Sequence, residues 1–196
     1  MKAKQALIIV DVQKAFEDPK WGERNNPQAE EKIRKLLDTW RANGDHVIFI
    51  QHRSDDPSSV FYHGQQGYEI KDIVKPEPGE TIFTKKVNSA FIGTNLETYL
   101  HEHALTEVVI TGLTTAHCVS TTTRMSGNLG FQTYLISDAT AAYGLTDQTG
   151  HYYDPEQVHA LTLATLHKEF ATVVTTEELL RLRSYGNADH TPRFNG

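Results

Sequence analysis

The stretch Ala6-Leu-Ile-Ile-Val-Asp11 decides how the rest of the chain is interpreted. It places five apolar residues directly before a carboxylate, and a short continuous apolar run is typical of a strand buried on both faces of a sheet. Similar short runs recur towards the C-terminus. They lie at residues 47–50, 81–84, 108–110, 134–136 and 173–174. The sequence therefore predicts six strands.

Helical patterns separate these runs, and most of them have a capping signal at the start. Strands that alternate with helices predict parallel strands, right-handed crossovers and helices on both faces of one sheet. The fold class that follows is α/β. The predicted helix starts are Asn26 with Pro27, Thr94 with Glu97, a point near Cys118, Asp154 with Pro155 and Gln157, and Thr175 with Glu178.

The chain has no internal repeat and no interdomain linker, so we expect one domain over residues 1–183 and a polar tail over 184–196. Two long segments, 55–79 and 139–153, are rich in Gly, Pro, His and Tyr. Loops of that length in a compact domain are usually functional or disordered.

Composition excludes several classes of protein. A formal net charge of −6 over 196 residues makes nucleic acid and anionic membranes poor partners. The run at residues 6–10 is too short for a signal-peptide core, and no run approaches the roughly 20 apolar residues of a membrane span. The single cysteine fits a reducing compartment. We therefore expect a cytoplasmic protein.

Ligands of parallel α/β sheets bind at the carboxyl ends of the strands, where the chain has a carboxylate and a thiol. Asp11 is either a partly desolvated carboxylate with a raised pKa or a turn residue. A lone cysteine such as Cys118 is more often a small buried apolar residue than a nucleophile. Its position at a predicted helix start, however, would lower its pKa, and the preceding Gly and Thr residues would offer N–H groups to an oxyanion.

The basic residues at this edge have ordinary interpretations too. Lys85 and Lys86 follow a predicted strand, where a solvated pair is the default. The ten histidines are scattered, without metal-ligand spacing. His52, Asp55 and His63 would have to be assembled into a metal site, and a polar loop explains them more simply. We expect no metal and no cofactor.

Four segments, in this order, resemble the isochorismatase-like cysteine hydrolase superfamily over nearly the whole chain. They are Leu7-Ile-Ile-Val-Asp-Val-Gln13, Lys85-Lys-Val-Asn-Ser-Ala-Phe-Ile-Gly-Thr-Asn-Leu96, Val109-Ile-Thr-Gly-Leu-Thr-Thr-Ala-His-Cys-Val119 and Ser137-Asp-Ala-Thr-Ala-Ala142. The resemblance implies a Rossmann-like three-layer sandwich with a six-stranded parallel sheet.

The resemblance also implies a catalytic triad of Asp11, Lys85 and Cys118, with Lys86 at a variable position. It places a cis peptide bond between Leu113 and Thr114. The backbone N–H groups of Thr114 and Cys118 would then form the oxyanion hole.

The family resemblance narrows the substrate without naming it. Nicotinamidase-like members have an Asp-x-His metal motif where this chain reads Phe49-Ile-Gln-His-Arg-Ser54. True isochorismatases commonly lack the cysteine, so Cys118 favours cleavage of a small amide, ureide or carbamoyl group. Two alternatives stay open: an ether hydrolase that uses Asp11 as general acid, and a non-catalytic or redox-sensing protein.

Three aromatic residues, Phe16, Trp21 and Tyr143, lie on predicted loops near the strand ends. We expect them to line a substrate pocket; the alternative is that they are ordinary surface aromatic residues. Members of this family commonly pair their subunits, so we also expect a homo-oligomer, either a dimer or a tetramer.

Overall fold

The computed structural model describes residues 4–188, with side chains over 5–184. Its main feature is a six-stranded sheet in the order β3-β2-β1-β4-β5-β8, in which every pairing is parallel. The α/β class and the six parallel strands are thus confirmed. The strands are β1 (Lys4–Val10), β2 (His46–His52), β3 (Thr81–Lys85), β4 (Leu105–Leu113), β5 (Gln132–Ala141), β6 (Leu145–Thr146), β7 (Tyr152–Tyr153) and β8 (Thr172–Val174).

Within residues 4–188, five α-helices cover the two faces of this sheet. They are α1 (Ala29–Asn43), α2 (Leu96–Glu102), α3 (Ser120–Asn128), α4 (Pro155–Leu166) and α5 (Thr176–Ala188). Side chains of β1 alternate between the two faces, so Ile8 packs with α2, α3 and α4 while Leu7 packs with α1 and α5. Both faces are therefore buried, which is why the strand is apolar without interruption. No helix within residues 4–188 is long and apolar enough to span a bilayer.

The strand order reverses between β1 and β4. The chain builds outwards from β1 through β2 to β3, then returns to β4 on the other side of β1. Gly112 permits the close approach of β4: it has φ 120°, and a Cβ atom there would lie 2.0 Å from Val10 O. Crevices at such reversals are where open α/β sheets bind ligands.

Two predicted helix starts are wrong, because the capping residues form other contacts. Helix α1 begins at Ala29, while Asn26 has φ 44° and its side-chain amide donates to the carbonyls of Ser137 and Thr140 at 2.9 and 2.7 Å. Asn26 thus ties its loop to β5. Thr94 Oγ1 donates to Ala90 O and accepts from Leu96 N, so it forms no capping box with Glu97.

The other two capping signals are confirmed. Asp154 and Gln157 form a complete capping box at the start of α4. Thr175 and Glu178 exchange hydrogen bonds at the start of α5. That helix continues through Ala188, so the predicted tail at 184–196 begins inside it, and residues 189–196 lie outside the described residues.

Three further boundaries differ from the sequence-based expectation. A π-helical turn, Thr115–Val119, precedes α3, so Cys118 lies within that turn and not at the start of an α-helix. The predicted loop at 139–153 contains the end of β5 and a small antiparallel hairpin of β6 and β7. The loop at 55–79 includes two short 3-10 helices, Gln66–Tyr68 and Asp72–Val74.

Candidate functional site

The ammonium group of Lys85 is the centre of a buried polar cluster at the carboxyl ends of the strands. Its Nζ lies 2.6 Å from Asp11 Oδ2, 3.1 Å from His52 Nδ1 and 3.3 Å from Cys118 Sγ. An ammonium has three N–H donors, and these three atoms satisfy all of them. Lys85 and Asp11 are each 1% exposed, so their charges compensate each other away from water.

The strand register brings these residues together. Lys85 and His52 are directly paired across β3 and β2. Asp11 follows β1 and has φ 50°, and its N–H donates to Ile50 O of β2 at 2.9 Å. Asp11 is therefore a turn residue whose carboxylate is buried beside a cation, which combines both interpretations of the sequence. Lys86 points away and pairs with Asp55 at the surface.

Burial raises the pKa of the Asp11 carboxyl, although the Lys85 charge opposes this shift. Burial also raises the pKa of the Cys118 thiol to about 12; the Asp11 charge adds to this rise and Lys85 opposes it. The expectation that a helix start lowers the thiol pKa is therefore wrong. Cys118 lies in a buried turn beside a carboxylate, so it is a thiol at neutral pH.

Asp11 has one oxygen to spare. Its Oδ1 atom is buried and accepts no hydrogen bond from the side chains that the structure describes. Oδ2 is occupied by Lys85, so Oδ1 is the atom at which Asp11 can take up a proton.

The β4 end of the site is the turn that follows Leu113. The peptide bond between Leu113 and Thr114 is cis. The carbonyl of Thr114 accepts from His117 N at 3.1 Å and from Val119 N at 3.3 Å, which closes the turn that carries Cys118. Both Thr114 and Cys118 line the cavity above the cluster.

The sequence places His52 directly after a predicted strand, at the edge where ligands bind, but sequence reasoning assigned it no role beyond a loop-based metal cluster with Asp55 and His63. The structure instead places His52 against Lys85, and it holds Asp55 at the surface beside Arg53. The buried side chain of Gln13 fixes His52: its Oε1 accepts from His52 N at 2.8 Å and its Nε2 donates to His52 O at 2.9 Å. Its position at a strand end marked His52 as a candidate, and the contact with Lys85 is what the structure adds.

Asp11, His52 and Cys118 also form a possible metal-binding group, since their ligand atoms lie within 4.8 Å of one another. The Lys85 ammonium already lies within hydrogen-bond distance of all three. A metal ion held by these atoms would have to displace that buried cation and leave it without partners. The residues therefore fit the ammonium better than a metal.

Above the cluster is a cavity of about 330 Å³ with an aromatic wall. The wall contains Phe16, Trp21 and Tyr143, and the structure adds Phe61, which sequence reasoning missed. Phe16 is the central ring, with centroids 5.4 Å from Trp21, 5.3 Å from Phe61 and 6.2 Å from Tyr143. Phe61 comes from the loop at 55–79, where no local pattern indicated its direction.

Glu30 of α1 anchors the loops that carry this wall. It accepts from Arg24 at 2.8 Å and from Lys71 at 2.9 Å, and these residues belong to two different loops. Burial alone would raise the Glu30 pKa, but its two cationic partners outweigh burial and lower that pKa to about 2. Tyr143 adds a further tie, because its hydroxyl donates to Phe16 O at 2.9 Å.

Known proteins match this fold, and their sequences align with most of this chain. The isochorismatase domain family matches residues 5–178. The isochorismatase family protein YrdC of Bacillus subtilis is 64% identical over 180 residues, which cover 92% of this chain and 96% of YrdC. A solved structure of an isochorismatase-family protein from Chromobacterium violaceum has a TM-score of 0.91 at 41% identity, and the match covers 93% of this chain and 94% of that one.

A more distant relative has a named activity. The ureidoacrylate amidohydrolase RutB of Rhizobium rhizogenes is 26% identical over 174 residues, which cover 74% of this chain and 67% of RutB. The family match spans nearly all of the described sheet and the helices on both of its faces. The chain therefore belongs to the isochorismatase family of hydrolases.

Proposed function

We propose that this protein is a cysteine hydrolase that cleaves a C–N bond of a small amide, ureide or carbamoyl substrate through a thioester. The observation that carries the proposal is the contact of one buried ammonium, Lys85, with both the Asp11 carboxylate and the Cys118 sulfur at the floor of a cavity. A nucleophile, a base and a fixed charge within hydrogen-bond reach are the parts that acyl transfer needs.

Acylation begins with a proton transfer from Cys118 Sγ to Asp11. The sulfur electron pair attacks the substrate carbonyl carbon, and the carbonyl π pair moves to oxygen. Because burial holds the thiol pKa at about 12, the proton leaves as the attack proceeds and no free thiolate accumulates. The N–H groups of Thr114 and Cys118 bind the resulting oxyanion, a contribution of about 3–4 kcal/mol for a good donor.

The C–N bond then breaks. The oxyanion pair reforms the carbonyl, and the leaving nitrogen takes the proton from Asp11. In deacylation, Asp11 removes a proton from water and the hydroxide adds to the thioester carbon. The tetrahedral oxyanion then reforms the carbonyl, the C–S bond breaks with its electron pair on sulfur, and Asp11 gives its proton to that sulfur. Lys85 stabilises whichever of Asp11 and Cys118 is negatively charged at each step.

The activity named for RutB is an amidohydrolase activity, and this supports C–N cleavage as the chemistry of the shared fold. The test is an acid quench of the enzyme during turnover of a panel of small amides, ureides and carbamoyl compounds. Intact-mass analysis should find an acyl adduct on Cys118, absent from Cys118→Ala and retained in the control Lys86→Ala. Turnover without an adduct, undiminished in Cys118→Ala, would refute the proposal.

A second candidate draws on the same carboxyl group. An acid with a raised pKa, such as Asp11, is also suited to protonate the leaving group of a vinyl ether. This ether hydrolase would not need Cys118. If Cys118→Ala cleaves isochorismate at the wild-type rate while Asp11→Asn does not, the ether reaction is the correct one. A non-catalytic or redox-sensing protein would turn over neither class of substrate.

We further propose that the enzyme works as a dimer or tetramer in the cytoplasm. The large apolar side chains of Leu161 and Leu182 are 66% and 53% exposed on α4 and α5, which supports a contact between subunits. A reducing compartment also suits a chain whose single cysteine must stay a thiol. Light scattering that finds only monomers at working concentration would contradict the oligomer.

A further inference from the structure

We propose that His52 presents a fixed, neutral N–H donor to the substrate and thereby selects amides that carry a second oxygen acceptor close to the scissile carbonyl. This inference rests on the proposed function and deepens it by naming the substrate class. It makes His52 a specificity-determining residue of the same cavity.

The contact with Lys85 determines which nitrogen of His52 carries the proton. An ammonium only donates, so His52 Nδ1, which lies 3.1 Å from Lys85 Nζ, must accept. In a neutral imidazole with an accepting Nδ1, the proton is on Nε2. Burial, with the Lys85 charge, lowers the His52 pKa to about 4, so the ring is neutral at physiological pH.

Nε2 is open to the cavity. It forms no hydrogen bond within the described residues. It is also not one of the buried side-chain atoms there that lack a partner, which are Asp11 Oδ1, Trp40 Nε1 and Arg53 Nε, so Nε2 is accessible. His52 lines the cavity, and its ring packs edge-on against Phe61 with centroids 5.1 Å apart. Lys85 and Phe61 contact the ring, and Gln13 holds the backbone of His52, so the imidazole has little freedom to turn.

The surroundings of His52 indicate what it binds. Asp11 is the only carboxylate residue on the cavity wall in the part of the chain that the structure describes, and Lys85 already compensates it. Lys20 also lines the cavity and forms no ion pair there; its ammonium lies 5.0 Å from the Trp21 ring centre. Donors and positive charge favour a neutral or anionic oxygen acceptor over a cationic amine.

Distance limits where that acceptor lies in the substrate. One ring nitrogen of His52 lies within 4.8 Å of Cys118 Sγ, and Nε2 belongs to the same five-membered ring. A carbonyl carbon bonded to sulfur therefore lies close to the donor, so the second acceptor must be within a few bonds of that carbon. A second carbonyl oxygen separated from the first by a single atom, as in malonamide, fits this spacing. A branched alkyl group in the same place would leave Nε2–H without a partner, and sites built to hydrogen-bond a substrate discriminate strongly against such analogues.

The test compares malonamide with isovaleramide, which has the same number of heavy atoms but an isopropyl group in place of the second amide. The measurement is the rate at which iodoacetamide alkylates Cys118 at pH 9 in the presence of each amide. For each variant, we compare the amide concentration that halves this rate relative to the rate without amide. Cys118 is the only thiol, so the labelling is specific. We expect malonamide to protect the wild type at concentrations at least about tenfold lower than isovaleramide.

Two substitutions separate the two nitrogens of the ring. In His52→Asn the side-chain oxygen can replace Nδ1 as the acceptor for Lys85, but the donor at Nε2 is lost, so the preference should fall to near one. In His52→Gln the amide nitrogen lies close to the former Nε2, so part of the preference should remain. The control variant Lys86→Ala should keep the wild-type preference.

A wild-type protein with no preference for malonamide, or a His52→Asn variant that keeps the full preference, overturns the inference. The proposed function fails separately. A preference for malonamide in a protein that never forms an acyl adduct would refute the thioester chemistry and leave the donor role of His52 in place. An acyl adduct in a protein without any preference for malonamide would support the thioester chemistry and refute the donor role of His52.

Discussion

The floor and the wall of the cavity are built in different ways. Asp11, Lys85 and His52 on the floor lie at the ends of β1, β3 and β2, where register and backbone hydrogen bonds set their positions. The aromatic wall comes from loops, and the hydrogen bonds and ion pairs of individual side chains hold it. The floor is polar and its Asp11 and Lys85 side chains are buried, whereas most of the wall is half-buried and apolar.

This difference implies a division of work between chemistry and recognition. Atoms on the floor are held by the strand register of the sheet, which suits groups that must stay within hydrogen-bond distance. The wall is attached at few points, so changes there should affect binding more than bond cleavage. The following predictions test that division, in order of decreasing effect.

Replacing Cys118 with Ala should have the largest effect. Without the nucleophile, turnover of the amide substrate should fall on the order of 10⁴-fold or more, as for other enzymes that lose a covalent nucleophile. The variant should keep its wild-type circular dichroism spectrum, because the change removes one sulfur atom. Steady-state kinetics measures the loss, and a reduction of less than tenfold would remove Cys118 from the chemistry.

Replacing Lys85 should have the second-largest effect, and replacing its neighbour Lys86 should have almost none. Lys85→Ala should lower turnover roughly 100-fold or more and lower the thermal midpoint, since it leaves the Asp11 carboxylate buried without its counterion. Lys86→Ala is the matched control, because Lys86 and Asp55 are 60% and 56% exposed and such pairs contribute little. Equal effects in the two variants would mean that turnover does not depend on the buried lysine of the floor.

Glu30→Gln should weaken the attachment of the wall in a pH-dependent way. The folded-state pKa of Glu30, about 2, is below the ordinary value of 4.5, so its contribution is present above pH 4.5 and is lost as the pH falls towards 2. This contribution is at most roughly 3 kcal/mol. Urea unfolding between pH 6 and pH 2 should therefore show a shallower acid decline for Glu30→Gln. Parallel curves for the two proteins would contradict the anchoring role.

Phe61→Ala should affect binding only. The loss of its ring contacts with Phe16 and His52 should raise KM roughly 2- to 12-fold, the range of an aromatic pair, with little change in kcat. Ile82→Ala, an apolar truncation at an exposed position of β3, serves as the control. A large fall in kcat with an unchanged KM would show that the wall takes part in the chemistry.

Metal removal should have the smallest effect. The Lys85 ammonium already satisfies the atoms that would hold an ion, so dialysis against a chelator should leave turnover unchanged. A loss of activity that zinc or iron restores would show that a metal ion displaces Lys85 from the centre of the site.

Local sequence was sufficient for the fold class and for most of the floor. Uninterrupted apolar runs such as 6–10 identify strands buried on both faces, and parallel strands bring the residues at their ends to one edge. Asp11, Lys85 and Cys118 were therefore identified as candidates before any distance was known, with the family resemblance choosing Lys85 over Lys86. Capping predictions succeeded where the capping residue had no tertiary contact, as at Asp154, and failed at Asn26, whose amide reaches β5.

Only the tertiary structure decided the partners and charge states of the site. Phe61 joins Phe16 across 45 positions of sequence, a contact that no local pattern encodes. The role of His52 depends on Gln13 and Lys85, which belong to separate parts of the chain. The protonation of Cys118 followed the same rule: its place in the sequence suggested a lowered pKa, but burial beside Asp11 raises it, because desolvation depends on everything packed around the thiol.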